Sequence, residues 1–201
     1  MPDPSVPERA ASVERITRET QIRVTLLLDG GDVAIDTGIP FFDHMLDQVA
    51  RHARFGLQVQ ARGDLQVDAH HTVEDVGIAF GQALTEALGD KRGVHRYGDA
   101  LVPMEESLAQ VAIDLSGRAL LVHDAEIPPV AVGGFDTVLT EEFLQAFARA
   151  AGATLHVTLL RSKNAHHAVE AIFKALARAL GAAVALDPRA PSAIPSTKGV
   201  L

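Results

Sequence analysis

Apolar positions along this chain switch between two periods. Ile22, Val24, Leu26 and Leu28 alternate with polar residues, the period of a half-buried strand. Asp29-Gly30-Gly31-Asp32 reads as a hairpin turn, with Val33 and Ile35 on a return strand. Arg15 to Thr20 reads as a polar approach to the first strand. From Asp43 to Arg54, Leu46, Val49, Ala50 and Ala53 fall at helical spacing, and Gly56 is expected to end that helix. Leu57–Ala61 and Leu65–Ala69 read as two short strands around Arg62-Gly63-Asp64. A helix of about four turns follows. It carries Val76, Ala79, Phe80, Ala83, Leu84 and Leu88 and closes at Gly89.

The same order then returns. Ser107–Asp114 and Arg118–His123 flank Ser116-Gly117, which reads as a second hairpin. Thr140 is the expected N-cap of a helix through Ala151, with Gly152 as its stop. Leu155, Val157 and Leu159 alternate as a strand, and a last helix runs to about Leu180. The repeat is visible position by position. An offset of 96 carries Gly56 to Gly152, His70 to His166, His71 to His167 and Glu74 to Glu170. An offset of 98 carries Leu46 to Leu144 and His44 to Glu142, so the change of offset falls at Arg54-Phe55 on this reading.

These elements predict an α+β fold. It has two layers and internally duplicated ββαββα-like halves, with helices on one face of the sheets. The expected divisions are a flexible tail over 1–12, halves over 13–98 and 99–186, and a C-terminal tail over 187–201. The whole is read as one compact unit.

The repeated stretch carries the candidate chemistry. Ala69-His70-His71-Thr72-Val73-Glu74 and Ala165-His166-His167-Ala168-Val169-Glu170 each put two histidines at a helix mouth with a glutamate one turn further in. Four of the nine histidines sit in these pairs. Imidazole with carboxylate, without thiolate, suits divalent metals such as Mn, Fe, Ni or Zn. Neighbouring helical residues differ by about 100° around the axis, so the paired rings cannot easily chelate one ion. The economical arrangement gives each ring to a different metal. His44, His70, His71, Glu74, Glu142, His166, His167 and Glu170 make eight candidate ligands, enough for two sites with open positions. One such stretch alone would fit a solvated helix end; its recurrence with a co-duplicated third position favours a site. Asp75, also in the first turn, reads as structural. His52, His95, His123 and His156 have no duplicate and read as surface or half-buried histidines.

Composition narrows the picture. A net charge of −8 argues against a nucleic-acid binder. The chain has no cysteine, and Met1 to Ser12 lacks the apolar core of a signal peptide. No apolar run is long enough to span a bilayer, so a cytoplasmic globular protein is expected. Arg96, Arg118, Ser196 and Lys198 offer guanidinium, hydroxyl and ammonium groups suited to phosphate. There is no G-x-x-x-x-G-K-[ST] loop, no G-x-G-x-x-G and no G-x-S-x-G, so nucleotide folds and acyl transfer gain no support.

Together these segments resemble one family. Phe41 to Gln48, Asp68 to Asp75, Arg96-Tyr97-Gly98, Asp114 to Arg118, Phe135-Asp136-Thr137, Asn164 to Glu170 and Ile194 to Gly199 are similar to imidazoleglycerol-phosphate dehydratases of histidine biosynthesis, in order, from about Arg15 onward. The resemblance implies loss of water from imidazole glycerol phosphate to give imidazole acetol phosphate. It implies two Mn2+ ions per active site, a site closed at subunit contacts and a homo-oligomer of 24 subunits. The partner is then a small phosphorylated imidazole, not a nucleic acid or a membrane. Metals on the ring nitrogens would stabilise an imidazolate able to expel the poor hydroxide leaving group. Glu19 is the first candidate for the proton-shuttling acid/base, with Glu170 or Glu74 second. Gln48 is expected to touch substrate, and Arg96, Arg118, Ser196 and Lys198 to hold its phosphate. The chain departs from the resemblance at Glu142, where many members carry histidine; carboxylate oxygen still suits Mn2+. A binuclear metallohydrolase acting on a phosphate ester is the alternative, and a metal-storage protein would need the ligands but not Glu19, Arg118 or Lys198.

Overall fold

The computed structural model describes residues 9–199. The first half opens with a hairpin. β1 (Ala10–Ile16) and β2 (Thr20–Leu27) pair antiparallel across the turn Thr17–Glu19. The tail expected over 1–12 therefore ends sooner, because Ala10, Ala11 and Ser12 are paired with Leu27, Leu26 and Thr25; residues 1–8 lie outside the described residues. The polar approach segment likewise supplies the end of β1 and its turn.

β3 (Val33–Asp36) does not return along β2. A helix, α1 (Pro40–Ala53), leads to β4 (Gly56–Gly63), which pairs antiparallel with β2 and parallel with β3. The strand order is β1-β2-β4-β3. The turn at Asp29–Asp32 is thus not a β2–β3 hairpin: β4 takes the place beside β2, and the helical crossover makes the parallel β3–β4 pair possible. Leu65–Ala69 is not a strand either. It is a turn with Leu65 and Val67 exposed, and it leads into α2 (His70–Leu88).

The second half repeats this. β5 (Tyr97–Met104) and β6 (Ser107–Asp114) form a hairpin, and β7 (Leu120–Asp124) follows. A two-stranded ribbon, β8 (Ala131–Val132) and β9 (Phe135–Asp136), precedes α3 (Leu139–Ala151). β10 (Thr154–Arg161) pairs antiparallel with β6 and parallel with β7, giving the order β5-β6-β10-β7. Ser116-Gly117 is therefore no hairpin, for the same reason as in the first half. α4 (Ala165–Val184) completes the chain of elements. β5 left little trace in the pattern because its inward residues are small. A Cβ on Gly98 would lie 1.9 Å from the carbonyl oxygen of Ala179, so α4 rests directly on the strand backbone.

Helix ends also differ from the pattern. Pro40 opens α1, where a missing N–H costs nothing, and Asp43 reaches back to the Thr37 N–H at 2.8 Å. Arg54, at φ 63°, ends α1 rather than Gly56. Gly56 instead allows close approach, since a Cβ there would meet the Gly31 Cα at 2.9 Å. Val138, not Thr140, precedes α3, and the Thr140 hydroxyl is buried without a partner.

α1 and α2 cover the first sheet, and α3 and α4 cover the second. Each half is the expected two-layer unit. The helix layers also face each other, α2 on α3 and α1 on α4, so four helices lie between two sheets. Gly77 and Gly81 let α2 touch α3: Cβ atoms there would sit 2.9 Å from the Phe143 carbonyl oxygen and 2.7 Å from that of Phe147. Phe143 and Phe173 stack in the middle at 5.3 Å between centroids, and Phe42 meets them edge-on at 5.5 and 6.5 Å.

The structure relocates the seam of the repeat. Arg54 and Gly152 end corresponding helices, and Gly56 and Thr154 open corresponding strands, both 98 positions apart. The offset becomes 96 only at His70 and His166. The two extra residues of the first half lie in the turn between β4 and α2, not at Arg54-Phe55.

Candidate metal centre

Both histidine pairs are pinned by the same local device. The Asp68 carboxylate accepts from the His70 N–H at 2.8 Å, and the Asn164 side chain accepts from the His166 N–H at 2.9 Å. Such Asx turns fix the entry of a helix. Within each pair the rings diverge as expected. Their planes cross at 87° for His70 and His71 and at 80° for His166 and His167, with centroids 6.1 and 5.9 Å apart. Two such rings do not face one ion.

Packing of α1 on α4 closes a triad across the two halves. Donor atoms of His44, His166 and Glu170 lie within 4.8 Å of one another. His166 Nε2 is 3.2 Å from Glu170 Oε2, and Lys174 Nζ holds the other oxygen at 2.7 Å. Burial alone would raise the Glu170 pKa, but the Lys174 bond and the nearby His44 and His166 outweigh it, and the carboxyl sits below its ordinary value. It is therefore an anion at neutral pH. The duplication maps this triad onto Glu142, His70 and Glu74, on α3 and α2. Among the described residues, only the first triad brings three donors this close.

A line of side chains continues from the triad. His44, Gln48 and His52 follow at four-residue spacing on α1, and Glu170, Lys174 and Arg178 on α4. Residues four apart share a helix face. Gln48 Oε1 is 3.1 Å from His52 Nε2. Burial, then the charges of Lys174 and Arg178, push the His52 pKa down. His52 is exposed, as expected from the sequence, on the same helix face as His44 and Gln48. Lys174 was not singled out by the sequence pattern; its place one turn beyond Glu170 was the available signal.

The second ring of each pair meets a carboxylate. His71 Nδ1 is 3.0 Å from Asp64 and 3.9 Å from Glu19. The Asp64 hydrogen bond raises the His71 pKa. His167 Nδ1 is 2.9 Å from Glu106 Oε2. The His167 bond and the N–H groups of Lys163 and Asn164 hold the Glu106 pKa down to about 2. Glu19 is exposed beside the first pair. Neither Asp64 nor Glu106 lies in the recurring histidine stretches, so neither stood out in the sequence.

Of the four residues expected to hold phosphate, Arg96 and Arg118 meet at Asp114, and Arg96 also binds the tail that carries Ser196 and Lys198. Arg96 donates to both oxygens of Asp114 and to the Pro195 carbonyl. Arg118 lies 3.6 Å from the same carboxylate. The tail is anchored further by Arg92 on the Ser192 carbonyl and by the Gly93 N–H on that of Ala193, both at 2.8 Å. Ser196 Oγ accepts from the Lys198 N–H, leaving the ammonium exposed. His95, His123 and His156 join neither cluster; His123 faces Glu141 at 3.3 Å. Among the described residues, no helix is long and apolar enough to cross a membrane.

Duplicated α+β halves with histidine pairs at two helix N-termini are the class of architecture whose members the comparisons with known proteins identify. The chain belongs to the imidazoleglycerol-phosphate dehydratase family, which are hydro-lyases: the model of that family matches residues 37–180. It is 58% identical to the imidazoleglycerol-phosphate dehydratase of Symbiobacterium thermophilum over 195 residues, covering 96% of this chain and 93% of that one. It is 58% identical to that of Azorhizobium caulinodans over 194 residues, covering 96% and 98%. The crystal structure of the Staphylococcus aureus enzyme superposes with a TM-score of 0.81 at 40% identity, over 89% of this chain and 99% of that chain. The Pyrococcus furiosus structure gives 0.82 at 37% identity, over 94% and 100%.

Proposed function

We propose that this protein dehydrates imidazole glycerol phosphate to imidazole acetol phosphate in histidine biosynthesis, with Mn2+ at two positions per active site. The observation that carries the reading is the triad His44, His166 and Glu170, drawn from both halves of a chain of this family. Three donors of imidazole and carboxylate type, with no thiolate, fit Mn2+. His44, His166 and Glu170 would hold one ion. His70, Glu74 and Glu142 would supply the counterpart set, with His71 and His167 turned toward ions completed by a second copy of the chain. Metal, when bound, would favour loss of the N–H proton from the substrate's imidazole ring, and the electron-rich ring would then push out the adjacent hydroxyl.

The chain's own groups do the rest. One C–O bond breaks beside the ring and one C–H bond breaks at the next carbon. The hydroxyl leaves as water, and the resulting enol becomes the ketone. Glu19 takes and returns the proton; its exposed carboxylate beside His71 supports that role. Glu170 is a poorer shuttle, because Lys174 and His166 occupy both its oxygens. Gln48, in line with His44, orients the substrate. Arg96, Arg118, Ser196 and Lys198 hold its phosphate, with Asp114 aligning the two guanidiniums. The reading makes the enzyme a cytoplasmic homo-oligomer, for which 24 subunits is the expected assembly, with the two halves, which divide ahead of β5 at Tyr97 rather than at 98/99, working as one unit and the tail from 187 closing on substrate.

The test is direct. Incubating Mn2+-loaded protein with imidazole glycerol phosphate should yield an enolisable ketone and no inorganic phosphate. Phosphate release instead would favour a metallohydrolase, and metal binding with neither product would end the dehydratase reading.

A further inference from the structure

The hairpin turns of the two halves carry corresponding glutamates, and their surroundings have diverged. Thr20 opens β2 and Ser107 opens β6, so Glu19 and Glu106 immediately precede equivalent strands. Glu106 is fully engaged. Its Oε2 meets His167 Nδ1 at 2.9 Å, while Oε1 accepts the N–H groups of Asn164 and Lys163 at 3.0 and 3.4 Å. Glu19 stands 3.9 Å from the corresponding His71 Nδ1. Its place is taken by Asp64, 3.0 Å away. Asp64 comes from the turn between β4 and α2, the turn that is two residues longer than its counterpart.

An ionised carboxylate only accepts hydrogen bonds. A ring nitrogen facing one is therefore an N–H, and the other nitrogen of a neutral ring carries the lone pair. We propose that Asp64 and Glu106 are positioning residues for His71 and His167, each holding its ring by Nδ1 so that Nε2 is presented to a metal ion. The longer turn of the first half, by supplying Asp64, releases Glu19 from that duty and leaves it free for proton transfer. The proposal rests on the reading of His71 and His167 as ligands. Carboxylate partners of ligating histidines typically change metal affinity by about 10- to 100-fold.

The two carboxylates differ in a way an experiment can read. Both Asp64 oxygens address His71, so one amide oxygen can replace them. Glu106 uses its two oxygens on opposite partners, so an amide must abandon one. Mn2+ alone is titrated into the full-length protein, with affinity and stoichiometry read by electron paramagnetic resonance and assembly by sedimentation. D64A and E106A should weaken Mn2+ binding about 10- to 100-fold against wild type compared at the same assembly state. D64N should recover most of the affinity and E106Q should not. H71A and H167A set the baseline. Loss of Mn2+ in these two, with wild-type affinity in D64A and E106A, overturns the positioning role alone. Unchanged Mn2+ binding in H71A and H167A overturns the ligand reading and this proposal with it.

Discussion

Arg96 grips Asp114 through two parallel hydrogen bonds, Nε at 2.7 Å and Nη2 at 3.1 Å. The third guanidinium nitrogen donates to the Pro195 carbonyl at 2.9 Å. One arginine therefore ties a strand end to the tail that carries Ser196 and Lys198. Arg96 sits at φ 73°, a left-handed conformation that an arginine keeps only when its surroundings hold it.

Replacing Asp114 with alanine should release Arg96 and Arg118 together. Losing a partly buried charge-assisted pair costs about 1.5–3 kcal/mol. The expected outcome is a KM for the phosphorylated substrate raised about tenfold or more, with bound Mn2+ unchanged. Steady-state kinetics and metal analysis on the same preparation check it.

Lys198 makes no side-chain contact that its removal would break, among the described residues. K198A should leave Tm unaltered and raise KM about 10- to 100-fold, the worth of one charge-assisted phosphate bond. A loss of metal in this variant would show that the tail has another role.

Glu170 links a ligand cluster to Lys174. E170Q should lower the Mn2+ bound per subunit, and it leaves the Lys174 ammonium without its buried partner. K174M paired with E170Q should restore thermal stability, because the unpaired buried charge is gone, but not metal. Differential scanning calorimetry and metal analysis separate the two effects.

Acid should expose the Glu106 contacts. Its folded pKa, about 2, lies below the ordinary value of 4.5. Between those values the unfolded chain binds more protons, so stability falls as pH falls. The contribution is present above 4.5 and lost on the way down to about 2. The gap in urea midpoint between wild type and E106A, measured without metal, should be open at pH 7 and close through that window.

Gly98 is required by contact rather than by conformation. In G98A the new methyl would meet backbone atoms of α4 at 1.9, 2.8 and 2.9 Å, so the helix must move off β5. Overpacking of this kind costs about 1–3 kcal/mol, and a rigid helix backbone puts G98A at the upper end. Thermal denaturation of G98A against wild type measures this loss, and Gly98 is not in the left-handed region, so the cost is one of contact.

The sequence by itself determined the repeat, the four helices and the ligand candidates. Periodicity is a local property, and the His-His-x-x-Glu stretches recur intact, so one copy identifies the other. Tertiary structure decided what local patterns do not contain. Strand partners are one such matter: the turn residues at Asp29–Asp32 and Ser116-Gly117 are real, but β4 and β10 arrive from across a helix to take the adjacent places. β5 is another, since Gly98 and Ala100 face inward only because α4 lies on them. The donor cluster is a third. His44 and Glu170 are 126 positions apart, and only the packing of α1 on α4 turns two helix faces into one site. Asp64, Glu106 and Lys174 entered in the same way: none lies in the recurring His-His-x-x-Glu stretches, and the significance of each lies in the nitrogen or oxygen it touches.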